Sequence, residues 1–217
     1  MPNLILGDKE YPNIQNIIFD LGGVILNIDY QRAIAGLQNI GIHDFDKLYT
    51  LSGQTKLFDN YDKGLISPAE FRDGIRKATH TNISDEAFNN AWNLILVDIP
   101  NERIQLLNNL KKKFKTFLLS NTNEIHLECL FDYMNNTFKL KNLDPLFHKI
   151  YYSCRIHMRK PDSDIYLHVL NDSKLIASET LFIDDFQQNI DAAQKLGILG
   201  YCLQKETSLT DLLTKYI

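Results

Sequence analysis

The strongest constraint on the fold is a recurring unit, a short and continuously apolar run that closes on polar or acidic residues. The runs are Asn16-Ile17-Ile18-Phe19-Asp20, Thr116-Phe117-Leu118-Leu119-Ser120, Lys149-Ile150-Tyr151-Tyr152-Ser153, Leu181-Phe182-Ile183-Asp184 and Ile198-Leu199-Gly200-Tyr201-Cys202-Leu203. Alternating polarity would mark a strand with one wet face; unbroken hydrophobicity marks a strand covered on both. Helical periods lie between the runs. Asn101, after Pro100, is expected to cap a helix carrying Ile104, Leu107 and Leu110 on one face. Its basic end, Lys111-Lys112-Lys113, suits the negative end of a helix better than an anion site. A later helix carries Ile190, Ala193 and Leu196 and stops at Gly197, a good left-handed cap. This alternation predicts an α/β fold, an open parallel sheet flanked by helices.

One stretch departs from the alternation. From Asp29 to Ile99 there are helical periods and no convincing strand. Ser67-Pro68-Ala69-Glu70 reads as a capping box with proline at the first helical position. Ser84 opens another helix, with Phe88, Trp92, Ile95 and Leu96 along one face. The expected organisation is therefore a discontinuous α/β core, residues 1–28 and 100–217, interrupted by a helical cap at 29–99.

Composition removes several alternatives. The 217 residues are 44% hydrophobic and 23% charged, ordinary globular proportions. A formal charge of −4 offers no footprint for nucleic acid. No apolar run approaches the ~20 residues of a membrane span. Leu4-Ile5-Leu6 is shorter than the roughly 7–15 apolar residues of a signal peptide. Cys129, Cys154 and Cys202 lack CxxC spacing, and none of the six histidines pairs at helical spacing, so neither a disulfide framework nor a zinc site is indicated. The expectation is a cytoplasmic monomer or weak homodimer without membrane or nucleic-acid partners.

Ligands of open α/β sheets bind at the carboxyl ends of the strands, and there the polar residues gather. Asp20 ends the first run, Ser120-Asn121 the second and Asp184-Asp185 the fourth, while Lys160 follows the third after a short connection. One aspartate after a strand is commonplace. Three acids, a hydroxyl and a lysine at one sheet edge are a stronger joint signal. Uncompensated carboxylates raise one another's pKa; a hard cation such as Mg²⁺ resolves that conflict by taking carboxylate and phosphate oxygens together. A divalent metal and a phosphorylated small-molecule ligand are implied.

Asp20-Leu21-Gly22-Gly23-Val24-Ile25, Leu118-Leu119-Ser120-Asn121-Thr122, Arg159-Lys160-Pro161 and Phe182-Ile183-Asp184-Asp185 with Asn189 resemble, in order, the four motifs of the haloacid dehalogenase-like superfamily. The helical block resembles that family's C1-type cap (subfamily IA) on a Rossmann-like core. Asp-Leu-Gly and Met158-Arg159-Lys160-Pro161 look most like the bacterial α-D-glucose-1-phosphate phosphatase branch. The resemblance implies a Mg²⁺-dependent phosphatase in which Asp20 attacks phosphorus and carries a transient aspartyl phosphate. It also implies metal ligation by Asp20, the Gly22 carbonyl and Asp185, with Asp184 acting directly or through water. Ser120, Asn121, Lys160 and the backbone at Gly22 would hold the phosphate, and Lys160 would neutralise the transferring group. Asn189 would orient the metal-side loop; Arg159 stands evenly between a site role and a surface one.

Gly22 departs from the pattern, because most phosphatases of this family carry there a second aspartate, the general acid and base. Losing such a catalyst costs roughly 10²–10⁴-fold. Three readings stay open: a substitute acid, of which Asp29 is the nearest by sequence unless it is a helix N-cap; a substrate with an acidic leaving group; or a poor catalyst. His157 replaces a glycine usual in the related branch and either narrows the phosphate pocket or faces solvent. Specificity would come from the cap, with Gln54, Lys56 and Tyr61 as candidates, although Phe58, Tyr61 and Phe71 fit a cap core better. Gly53-Gln54-Thr55-Lys56 lacks P-loop spacing. The rivals are a low-turnover binding module and a 2-haloacid dehalogenase. Dehalogenases of the superfamily work without metal and lack the paired acids, and mutase chemistry needs an acid where Gly22 stands.

Overall fold

The computed structural model describes residues 3–43 and 56–217. Its strands, in chain order, are β1 (Leu4–Leu6), β2 (Lys9–Tyr11), β3 (Asn16–Phe19), β4 (Asn27–Ile28), β5 (Leu96–Asp98), β6 (Lys115–Ser120), β7 (Lys149–Tyr152), β8 (Thr180–Asp184) and β9 (Leu199–Cys202). The five apolar runs become one parallel sheet in the order β7-β6-β3-β8-β9. Ile17 and Phe19 of β3 point, with Leu118 and Ile183, toward the helices Asn101–Leu110 and Glu124–Phe138. Ile18, Phe117, Leu119 and Phe182 point the other way, under the helices Ser163–Asp172 and Gln187–Gln194. Both faces are dry, which explains the unbroken hydrophobicity. Burying each such side chain contributes about 1.5–3 kcal/mol.

The strand order reverses at β3, with β6 and β7 on one side and β8 and β9 on the other. Phe19 is in register with Leu118 and with Ile183. The next residues on these strands therefore emerge together at the switch point, where open α/β sheets bind ligands.

The helices Tyr30–Asn39, Lys56–Asp62, Pro68–Thr79 and Asp85–Trp92 enclose a separate cluster that includes Phe58, Tyr61, Phe71, Phe88 and Trp92. Tyr61 stacks on Phe71 at 4.0 Å. Ser67 Oγ accepts from Glu70 N, and the Glu70 carboxylate accepts from Ser67 N, so the capping box forms as expected. Ser84 caps its helix through Ala87 N. Gly197 takes the left-handed φ of +83°.

Two expectations need correction. Asn101 is the first residue of its helix rather than its side-chain cap; Pro100 occupies the cap position, and its carbonyl accepts from Arg103 N. Proline's fixed φ already sets the helix entry, so no side chain is needed there. The block 29–99 also contains a strand, since β5 pairs antiparallel with β4. Leu96 therefore leaves the helix opened by Ser84, which ends at Trp92 and tightens into a 3₁₀ turn at Asn93–Ile95. A ribbon of two and three residues is too short to show a period. Among the described residues no helix is long and apolar enough to cross a membrane.

Candidate active site

Asp20 follows β3 level with Asp184 at the end of β8, as the sheet register requires, and Ser120 ends β6 one residue further along. Asp20 N donates to Ile183 O at 2.8 Å, which pins the first motif against the fourth. Lys160 arrives from the loop after β7 and is only 2% exposed. Its Nζ lies 2.8 Å from Asp20 Oδ1 and 2.7 Å from Asp184 Oδ2. Burial works against the ammonium, but the two carboxylates outweigh it and hold its proton affinity above the ordinary value. Burial raises the Asp20 pKa; Lys160 opposes that rise, and Asp184 adds to it.

The paired acids differ in their surroundings. Both Asp184 oxygens are engaged: Oδ1 accepts from Phe186 N and Asn189 Nδ2, and Oδ2 from Lys160 Nζ and Asn189 Nδ2. Asp185 Oδ1 is buried without a hydrogen-bond partner. Burial, then the neighbouring Asp184, pushes the Asp185 carboxyl up to about 6. One oxygen from each of Asp20, Asp184 and Asp185 lies within 4.8 Å of the others. An orphaned buried carboxylate oxygen costs roughly 1–3 kcal/mol or more, and a hard cation on this all-oxygen set removes that cost. The residues fit Mg²⁺.

Gly23 completes this cradle. Its φ is +72°, and a Cβ there would lie 2.1 Å from Asp185 Oδ2. Gly23→Ala is therefore expected to destabilise by about 1–3 kcal/mol and to displace Asp185. Thermal unfolding with and without Mg²⁺ checks this, with a smaller Mg²⁺-induced rise in the variant.

Asn121 lines the cleft beside Ser120, and its side chain is engaged within the protein. Its amide clamps the backbone of Lys160, with Nδ2 donating to Lys160 O and Oδ1 accepting from Lys160 N, both at 2.9 Å. Asp29 is the N-cap of helix 30–39, its Oδ1 accepting from Gln31 N and Arg32 N, so its carboxylate is spent on the helix terminus. His157 is exposed and does not line the cleft, in keeping with the solvent reading. It takes a left-handed φ of +59°, which accounts for glycine in the related branch, and its Nδ1 donates to Lys63 O at 2.8 Å. Lys56 is exposed at the start of its helix and does not line the cleft. Gln54 lies outside the described residues, and Tyr61 belongs to the aromatic cluster.

A cleft of about 470 Å³ joins Asp20, Ser120 and Lys160 at its base to Gln31, Asp62 and Trp92 on the helical side. Lining residues that the sequence did not point to, or left open, include Gln31, Asp62, His126 and Arg159. Arg159 is not a surface residue. Its side chain is 15% exposed and reaches Asp59 at 3.1 Å and Asp62 at 3.7 Å. His126 stacks on Trp92 at 5.2 Å and donates from Nδ1 to Asn93 Oδ1 at 2.8 Å. Burial pushes its pKa down to about 3, so the ring is neutral. The signal for His126 was its place three residues past Asn123, whose side chain caps the helix after the second motif.

The sequence model of the haloacid dehalogenase-like hydrolase family matches residues 14–197. The chain is 31% identical over 186 residues to a D-ribitol-5-phosphate phosphatase of Bacteroides thetaiotaomicron, covering 85% of this chain and 89% of that protein. It is similar to the crystal structure of a wild-type enzyme of the same family and organism in complex with magnesium and inorganic phosphate. That match has a TM-score of 0.81 and 37% identity, over 92% of this chain and 98% of the other. A hydrolase of the same kind from Porphyromonas gingivalis gives a TM-score of 0.84 at 31% identity, over 94% and 97%.

Proposed function

The chain belongs to the haloacid dehalogenase-like hydrolase family, and on that footing we propose that Asp20 is the nucleophile of a magnesium-dependent phosphatase acting on a small phosphorylated metabolite. The observation that carries this reading is the buried Asp20–Lys160–Asp184 chain with the orphaned Asp185 oxygen beside it. Similarity to the D-ribitol-5-phosphate phosphatase supports a phosphorylated polyol or sugar as substrate class.

Asp20, Asp184, Asp185 and the Gly22 carbonyl would hold Mg²⁺, which supplies charge neutralisation at the phosphoryl oxygens. An Asp20 oxygen bonds to phosphorus as the ester oxygen leaves, and water then cleaves the aspartyl phosphate, releasing phosphate and restoring the carboxylate. Lys160, fixed by the Asn121 clamp, offsets charge on the nucleophile and on the incoming group. Ser120, 2% exposed at the cleft base, donates its hydroxyl to a phosphoryl oxygen. Asn189 serves by holding Asp184. We assign 29–99 to a cap on the core 1–28 and 100–217. The β4–β5 ribbon joins the two crossings, and Ile125 packs into the cap cluster.

The test is phosphate release from polyol and sugar phosphates with Mg²⁺ and after EDTA. Activity is expected to vanish on chelation and return with Mg²⁺. The pH dependence has a definite sign. Asp185 is an acid of raised pKa, so without metal its protonated form is favoured and the apo fold loses stability as pH rises through about 6. Protons thus compete with the cation below that value. The Mg²⁺-induced rise in unfolding temperature is expected to be larger at pH 8 than at pH 5. Metal-independent hydrolysis, 2-haloacid turnover, or phosphate binding without turnover would each overturn the reading.

A further inference from the structure

Glycine at position 22 leaves the leaving group without the proton donor that the first motif elsewhere supplies. Asp29 cannot fill the gap, because its carboxylate caps helix 30–39. His126 is neutral, and its Nδ1 proton is committed to Asn93. Among the described residues that line the cleft, the acids are Asp20 and Asp62.

Asp62 is the last residue of the helix Lys56–Asp62, and the chain just beyond it is docked tightly on the core. Lys63 Nζ lies 3.1 Å from Asp162, and the Lys63 carbonyl accepts from His157. Gly64 has a φ of +63°, and a Cβ there would lie 1.9 Å from Cys154 O, so the seam closes to backbone contact. This docking holds the Asp62 carboxyl inside the cleft, 3.7 Å from Arg159, the neighbour in sequence of Lys160. We propose that Asp62 is the acid and base of the reaction, supplied by the helical lobe in place of the missing first-motif aspartate. The inference rests on the phosphatase reading above. As the ester O–P bond breaks and the Asp20 O–P bond forms, the Asp62 carboxylic acid gives its proton to the departing oxygen. Its carboxylate then takes a proton from the water that attacks the aspartyl phosphate, so the cycle consumes one water and regenerates both acids. Burial, opposed by Arg159 and assisted by Asp59, pushes the Asp62 carboxyl up to about 7, where it exchanges protons readily.

The experiment compares p-nitrophenyl phosphate, whose leaving group needs no proton, with an alkyl phosphate such as a polyol phosphate. Asp62→Asn is expected to lower kcat/KM, which reports the step in which the leaving group departs, by about 10²–10³-fold on the alkyl ester and by less than about tenfold on the aryl ester. A Mg²⁺-induced thermal shift like that of the wild type shows that the variant is folded. Without any variant, the wild type is expected to show a shallow dependence of kcat/KM on leaving-group basicity. Equal losses of kcat/KM on both esters would make Asp62 a partner of Arg159 only and overturn the proposal. So would no loss on either ester, a steep leaving-group dependence in the wild type, or the aryl–alkyl split arising in Asp29→Asn instead. Turnover of both esters in Asp20→Asn within tenfold of the wild type would instead overturn the reading of Asp20 as nucleophile on which this inference rests.

Discussion

Asp20→Asn is expected to reduce phosphate release by about 10⁴-fold or more on every ester, the scale on which removal of a covalent nucleophile acts. The amide is nearly isosteric, so the buried packing of Phe19, Ile183 and Leu118 around it stays intact. An amide nitrogen also offers no lone pair to phosphorus, and the amide carries no charge toward the cation. Single-turnover phosphate release with excess enzyme, at saturating Mg²⁺, separates loss of chemistry from loss of binding. A decrease of less than tenfold would show that Asp20 is not the attacking group, whatever the ester.

Lys160→Met is expected to have the largest effect on folding. In the wild type the ammonium stands between Asp20 and Asp184, which are 8% and 0% exposed. Methionine retains the stem and leaves two carboxylates facing each other without compensation. Breaking a buried pair on one side costs about 3–5 kcal/mol, and for a domain of this size that lowers the unfolding midpoint by roughly 10 °C. The pH dependence follows from which groups titrate. Lysine's proton affinity is raised in the fold, so its contribution is complete below the ordinary lysine pKa and is lost only in strong alkali. Asp20 is an acid of raised pKa, so the variant regains stability as pH falls and this carboxylate takes up a proton. Denaturant unfolding without metal at pH 8 and at pH 5 is expected to show the deficit shrinking at the lower pH. Added Mg²⁺ is expected to narrow it at pH 8, where the cation replaces part of the missing charge. A deficit independent of pH would mean that lost packing, not lost charge, explains the cost.

The sheet was readable because burial on both faces leaves a direct imprint, an apolar run with no alternation, and because each run closes on a polar residue. The capping box at Ser67 and the left-handed stop at Gly197 were equally local, since each depends on atoms a few residues apart. The β4–β5 ribbon was not local. Asn27 and Asp98 are joined by a hydrogen bond of 2.8 Å across 71 residues, and neither strand is long enough to carry a pattern. Arg159 was undecided for the same reason, because its partners Asp59 and Asp62 sit 100 and 97 residues away on another lobe. That the Asn121 side-chain amide is occupied by the backbone of residue 160 is likewise invisible in its own motif.

The amino-acid sequence alone determined the parallel α/β core, the helices between its first and second apolar runs, and the acids, hydroxyl and lysine at the strand ends. Period, capping and strand-end chemistry act over a few residues and are written in their order. Tertiary structure decided how those groups divide their work: Asp184 bound to internal donors, Asp185 left with a free oxygen, Asn121 clamping Lys160, Asp29 consumed as a cap and Asp62 carried into the cleft. Hydrogen-bonding capacity is finite, and which partner claims each atom depends on distances between segments that only the folded chain brings together.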